Sequence, residues 1–242
     1  IIADRETEET ALSVRDALMA KGYPVIHCEV RSLSEIGAVL AGFDKNTTIV
    51  FNLCEALGGL ATGEAEVPAL LDEPGFLYTG SDSAAISVCL DKGACRARLA
   101  AAGVPVAPYQ VFESPDAPIG LPLPAIIKPL AEHSSLGIAK ESVCRTPREL
   151  AQRVSYILEV YRQPALAELY LTGREFSVSV WGNNPPALLG MGEIDYSGAG
   201  SVWERFDHFE SKWQDRFKAV YPAEVSRDLA AALERMALDS YR

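Results

Sequence analysis

The chain has 242 residues, 48% of them hydrophobic and 23% charged, with a net charge of −11. That much apolar material supplies one large core or two smaller ones, while the acidic balance and the lack of a dense Lys/Arg cluster exclude a nucleic-acid binder, which needs a basic footprint. No apolar run is long enough to span a bilayer, and five cysteines (Cys28, Cys54, Cys89, Cys95, Cys144) at irregular spacings without C-x-x-C read as reduced thiols of a cytoplasmic protein, not as disulfides or zinc ligands.

In chain order, ETEETALSVRDALMAKG predicts a helix with Ala11, Val14 and Leu18 on one face and Gly22 as its stop. YPVIHCEV reads as a strand, SLSEIGAVLAG as a second helix and TTIVFNL as a second strand, so the first ~90 residues predict a parallel α/β domain. Ligands of such sheets gather at the carboxyl ends of strands, and the glycine-bearing loop NLCEALGGLATGEAE, with Glu55 and Glu64, follows such an end. GEAEVPALLDEPG predicts a short helix interrupted by Pro68, and FLYTGSD a brief strand and turn. DKGACRARLAAAG is a helix from Asp91 that stops at Gly103, where a left-handed cap belongs.

VPVAPYQVF, PAIIKP and GIAKESVC predict three strands of a second sheet. TPREL opens a helix that reaches Tyr161, with Thr146 as cap, Pro147 in the first turn and Glu149 closing a capping box. ALAELYL is a strand, and REFSVSVWGN alternates Phe176, Val178 and Val180 with polar residues, the pattern of a half-buried antiparallel strand. ALLGMGEIDY, a glycine-rich loop, a polar stretch with Lys212 and an amphipathic helix carrying Leu229, Leu233 and Met236 complete the chain. The fold class is α/β, then α+β.

Three groups of residues carry candidate chemistry. Lys128 ends an apolar strand, where an ammonium either reaches water or meets an anion, because burying it unpaired costs several kcal/mol. Pro129 stops the ladder, and Ser134, Ser135 and Gly137 follow in a loop whose hydroxyls and N–H groups suit phosphate oxygens. An ordinary polar hairpin with a solvated lysine fits the same stretch. Glu168 and Glu175 bracket a hairpin in ELYLTGRE, with Leu169 and Leu171 as apolar walls. They are placed to hold a sugar edge and an adenine, or Arg174 and Glu175 form a surface ion pair of little value. Arg96 and Lys212 read singly as solvated charges.

Taken together and in order, YTGS (78–81), DKGACR (91–96), AAGVPVAP (101–108), IIKP (126–129), EHSSLGI (132–138), ELYLTGREFSV (168–178), GEID (192–195) and SKW followed by YPAE (211–213, 221–224) resemble the ATP-grasp superfamily, most closely its D-alanine–D-alanine ligase branch. The resemblance implies an ATP-grasp fold behind an N-terminal parallel α/β (pre-ATP-grasp) domain. It divides the chain into a substrate-side domain at 1–90, a small subdomain with the phosphate lid at 91–170 and a larger subdomain, incomplete at its C-terminus, at 171–242. It also implies ATP and Mg2+, small amino-acid-like carboxylate and amine substrates, no nucleic-acid or membrane partner, and a homodimer as an assembly common in that family. Arg96, Lys128, Glu168, the backbone of Leu169, Tyr170 and Leu171, and Glu175 would bind the nucleotide. Lys212, Ser134 and Ser135 would act at the transferred phosphoryl group, the serines from a lid that excludes water.

This chain departs from the pattern in three places. Arginine stands at 96, where the branch usually has lysine, keeping the charge in a planar fork. NLCEALGG replaces the branch's His-Gly and Gly-Glu-Asp-Gly words, and Glu6 is only a loose match to the glutamate expected for the first D-alanine. The branch's magnesium ligands follow a helix like 223–241, so no residue of this chain is assigned to metal. The expected function is an ATP-dependent carboxylate–amine ligase forming an amide through an acyl phosphate. A non-catalytic ATP-binding module is the alternative, and an ordinary α/β binding protein ranks third.

Overall fold

The computed structural model describes residues 2–54, 57, 61–206, 208 and 217–242. The chain divides into two units, Ile1–Leu90 and Asp91–Arg242.

In the first unit, α1 (Ile2–Ala20) and α2 (Leu33–Leu40) precede β1 (Ile49–Val50), and a 3-10 turn (Ala61–Ala65) leads into α3 (Glu66–Asp72). β2 (Leu77–Tyr78) pairs parallel with β1 in the register Ile49↔Leu77 and Val50↔Tyr78, and α4 (Ser83–Leu90) follows. Ile36, Leu57, Val67 and Leu71 form its core. YPVIHCEV, predicted as a strand, is irregular, with Tyr23 and Ile26 left exposed. Apolar residues make a strand only where a neighbour pairs their N–H and C=O groups, and among the described residues β1 pairs with β2 alone. Pro68 does not interrupt α3. It lies in the first turn, where its missing N–H has no intrahelical acceptor to lose. The unpredicted α4 begins at Asp82, whose Oδ1 accepts the Ala85 N–H at 2.7 Å.

The second unit opens with α5 (Lys92–Ala101), capped by Asp91 through the Ala94 N–H at 2.9 Å. β3 (Tyr109–Phe112), β4 (Ala125–Pro129), β5 (Val143–Cys144) and β6 (Ala165–Leu169) form an antiparallel sheet in the order β3-β6-β4-β5. α6 (Pro147–Val160) crosses between β5 and β6, and its capping box forms as expected: Thr146 Oγ1 accepts the Glu149 N–H, and Glu149 accepts the Thr146 N–H. Of the strand expected in GIAKESVC, only Val143 and Cys144 pair; Lys140–Ser142 is a 3-10 turn. Leu150, Val154 and Ile157 of α6 pack on Ala125, Ile127, Ala165 and Ala167, and all seven are essentially inaccessible to solvent.

β7 (Glu175–Trp181), β8 (Ala187–Asp195) and β9 (Lys218–Val220) make a separate antiparallel sheet with a bulge at Ser179/Val180. The last helix, α7 (Arg227–Tyr241), packs against β7. Among the described residues no helix is long and apolar enough to cross a membrane.

Candidate functional site

The antiparallel register of β4 and β6 sets Ile126 opposite Glu168 and Lys128 opposite Leu166. Residues opposite one another share a face, and residues two apart on a strand do too. Lys128 and Glu168 therefore occupy the same face, while Ala125, Ile127, Ala165 and Ala167 on the other face enter the core under α6. α5 lies on the polar face. A Cβ on Gly93 would sit 3.1 Å from Val111 Cγ2, and Val111 is opposite Leu166. Lys92 and Arg96, one helical turn apart, are thus brought onto the charged strand pair.

Glu168 is 7% exposed. One of its oxygens accepts from Arg96 Nε and the other pairs with Lys128 Nζ. Burial pushes this carboxyl up, but Lys128 and Arg96 outweigh burial and hold it below the ordinary value. Lys92 Nζ donates to the carbonyl of Leu130 at 3.2 Å and to that of Glu132. Burial, then Lys128 and Arg96, lower the Lys92 ammonium to about 8, with Glu132 and Glu168 pulling the other way. The Glu132 carboxylate accepts from Gln163 Nε2 at 2.8 Å. Arg96 and Lys128 therefore meet on the carboxylate of Glu168, and with Lys92 beside them three cations face two carboxylates, Glu168 and Glu132, an excess of positive charge that favours an anion.

The chain leaves β4 at Pro129 and enters the loop that holds both serines. Ser134 and Ser135 have φ of 51° and 58°, and Gly137 has φ of 74°. Two successive non-glycine residues in the left-handed region are costly, and such strain gathers at ligand sites. Gly137 is required by space as well as by φ, since a Cβ would lie 2.5 Å from Pro129 Cγ and 3.0 Å from Tyr161 Cζ. Arg153 Nη2 donates to its carbonyl at 2.5 Å, fixing the far end of the loop to α6.

Glu175 does not share a hairpin with Glu168, as the sequence suggested. β6 and β7 belong to different sheets, so Thr172-Gly173 connects two sheets and does not turn one back on itself. Nor does Arg174 pair with Glu175: its guanidinium takes Glu193 through two bonds of 2.6 Å and the Glu224 carbonyl at 2.8 Å. Glu175 instead accepts from Tyr196 Oη at 2.6 Å. Between the two glutamates, the N–H groups of Leu169 and Tyr170 donate to the Pro108 and Pro124 carbonyls at 2.8 and 2.9 Å. The Tyr170 ring is buried and donates through Oη to the Val202 carbonyl at 2.8 Å. Leu171 is exposed, and no described residue accepts its N–H.

The structure thus brings Arg96, Lys128 and Glu168 into direct contact and places Ser134 and Ser135 in the loop that leaves the same strand. Lys212 and Glu55 lie outside the described residues, as does the Glu6 side chain. Glu64 stands in the 3-10 turn of the first unit. Lys92 was not singled out in the sequence, although its spacing from Arg96 on one helix face was the available signal. Among the described residues no group of three His, Cys, Asp or Glu side chains is arranged to hold a metal.

Residues 99–242 match the family model described as D-ala D-ala ligase C-terminus. A D-alanine–D-alanine ligase of Acidiphilium cryptum is 36% identical over 92% of this chain and 71% of its own length. The D-alanine–D-alanine ligase of Bacillus anthracis superposes with a TM-score of 0.66 over 96% of this chain and 73% of that one, at 17% identity. That of Coxiella burnetii gives 0.58 over 73% of this chain at 20% identity, and this chain covers 46% of its length.

Proposed function

The chain belongs to the D-alanine–D-alanine ligase family and has the ATP-grasp fold, and from that premise we propose that it is an ATP-dependent ligase joining a small carboxylic acid, such as an amino acid, to an amine. The observation that carries this reading is the meeting of Arg96 and Lys128 on the buried carboxylate of Glu168, with the Lys92 ammonium held close by, beside a loop held at positive φ. A polyphosphate supplies the negative charge that this cluster lacks, and its oxygens fit the two serine hydroxyls.

In the proposed reaction a substrate carboxylate oxygen attacks the terminal phosphorus of ATP and the bond to the bridging oxygen breaks, giving an acyl phosphate and ADP. The amine nitrogen then attacks the acyl carbon, the carbon–oxygen bond to phosphate breaks, and the nitrogen loses a proton to leave the amide. Phosphoryl transfer asks chiefly for positioning and charge neutralisation. Arg96 and Lys128 would supply the charge and Lys212 would reach the terminal phosphate. The loop with Ser134 and Ser135 would exclude water from the acyl phosphate. Glu168 and the open N–H of Leu171 would face adenine, and Glu175, oriented by Tyr196, the ribose hydroxyls. Magnesium, which neutralises phosphate charge in this chemistry, would arrive with the nucleotide.

The test is magnesium-dependent ADP release by the complete gene product with ATP and a panel of D- and L-amino acids, D-alanine included. Release that requires an amino acid supports the ligase, and the most effective pair names the substrates. ATP binding without release under any pair would replace the ligase with a non-catalytic ATP-binding module.

A further inference from the structure

The loop bearing Ser134 and Ser135 is held at both ends by α6 and the connection that follows it. At the near end, Ala131 N–H donates to Gln163 Oε1 at 2.6 Å, and Gln163 Nε2 to the Glu132 carboxylate at 2.8 Å. At the far end stands Arg153, from the middle of α6. Its Nη2 donates to the Gly137 carbonyl at 2.5 Å, and its guanidinium lies over the Tyr156 ring, 4.5 Å from the centroid. Tyr156 meets Tyr161 edge to face with centroids 6.1 Å apart, and Tyr161 closes on Gly137, where a Cβ would lie 3.0 Å from its Cζ. Arg153 Nε is buried and no described residue accepts from it, so the side chain keeps this place against the cost of an orphaned donor. Between the two anchors the chain makes two turns, closed by Leu136 N–H on the His133 carbonyl at 2.9 Å and Ile138 N–H on the Ser135 carbonyl at 3.0 Å. The first has Ser134 and Ser135 at its centre, both at positive φ, a conformation that serine adopts only where the surroundings impose it.

We infer that Arg153 is a positioning residue: by holding the Gly137 carbonyl it keeps the serine loop set, and so decides whether the acyl phosphate meets the amine or water. The inference rests on the ligase reading above. Arg153 acts through the loop, because its bond is to a main-chain carbonyl at the loop's far end. When the loop is not set, a water oxygen attacks the acyl carbon and the carbon–oxygen bond to phosphate breaks. The carboxylate is regenerated, one water proton passes to the phosphate and the other to solvent, and ATP is consumed without an amide. A bond from a charged donor shifts a two-state balance by roughly ten- to hundredfold, enough to change how the intermediate is partitioned.

The experiment counts ADP and amide formed by the complete gene product with magnesium-ATP and its most effective amino-acid pair, in the unaltered protein, Arg153→Met and Arg153→Lys, with a thermal melt of each. The unaltered protein should release about one ADP per amide. Arg153→Met should form amide roughly tenfold more slowly and raise the ADP-to-amide ratio at least about threefold, and the excess should grow as the amine is diluted. Its Kd for ATP should stay within about threefold, because Arg96 and Lys128 are untouched. Hydrogen exchange over 134–138 should be faster than in the unaltered protein. Arg153→Lys keeps a charged donor for Gly137 without the planar stack on Tyr156; its ratio should fall between the other two, and it decides the question if Arg153→Met does not fold. An unchanged ratio in the folded variants, or a rate loss matched by an equal loss of ATP affinity, overturns the inference alone. Failure of the unaltered protein to form an amide with any pair overturns the ligase reading and this inference with it.

Discussion

Lys128→Ala removes one of the two cations that hold Glu168 and leaves the β4–β6 ladder in place, because Lys128 meets Leu166 through main-chain register. The lost pair is a charge-assisted contact of about 1.5–3 kcal/mol. Two features of the site offset much of that loss: Glu168 keeps Arg96, and the repulsion between Lys128 and Lys92 disappears. The net cost in stability should be about 1 kcal/mol, small beside the ~5–15 kcal/mol typical of a domain. Nucleotide binding has no such offset. A lysine side chain only 17% exposed, in direct contact with a phosphate, is worth about 2–3 kcal/mol of affinity, or roughly 30- to 150-fold in Kd. Calorimetry with ATP, paired with a thermal melt to confirm folding, separates the two quantities. A folded Lys128→Ala protein that binds ATP within about twofold of the unaltered one would refute the phosphate assignment of the whole cluster.

Glu175→Ala should weaken ATP by about 1–3 kcal/mol through the ribose, and Tyr196→Phe by about 1 kcal/mol, as a carboxylate acceptor and its orienting donor are lost; a change confined to amino-acid affinity would move Glu175 to the other substrate. Gly137→Ala should cost about 2–4 kcal/mol in denaturant unfolding, from the positive φ and the clash with Pro129, and a loss below about 0.5 kcal/mol would show that the loop does not need its observed conformation. Because the folded Glu168 carboxyl lies below its ordinary value, its stabilisation is full above the ordinary carboxylate range and is lost as pH falls through the folded value. The acid limb of a stability–pH profile should therefore flatten in Glu168→Gln. Cys144, buried and pushed up to about 12, should resist alkylation at pH 8 until the protein unfolds, whereas the exposed Cys28 and Cys89 are labelled in the native state, as mass spectrometry would read.

Local signals were the legible ones. Thr146, Pro147 and Glu149 announce α6 because a capping box is a contact among near neighbours, and the alternation of Phe176, Val178 and Val180 announces β7 because a strand's two faces are written at period two. Lys128, Pro129 and the serines could be placed at the end of a strand for the same reason. What the sequence concealed depends on distant partners. Lys92 carries no signal of its own in the sequence, because its partners, the carbonyls of Leu130 and Glu132, come 38 and 40 residues later. Glu168 and Glu175 look like two sides of one turn, and only the allocation of β6 and β7 to different sheets separates them. YPVIHCEV has the side chains of a strand, but composition does not tell whether a partner strand stands beside it.

The shared register of β4 and β6 has a consequence for how this sheet finds its correct pairing. Ile126↔Glu168 and Lys128↔Leu166 put every charge of the pair on one face, and Ile127↔Ala167 puts the apolar residues on the other. A slip of β4 by a single residue would turn its faces over, sending the Lys128 ammonium under α6 among Leu150, Val154 and Ile157 and taking it away from Glu168. An unpaired charge in that interior costs several kcal/mol, more than an aliphatic pair misplaced by one position would lose. The same two side chains therefore act as a proofreading mark during folding. The strand pair is checked for alignment by its own electrostatics before any ligand is present.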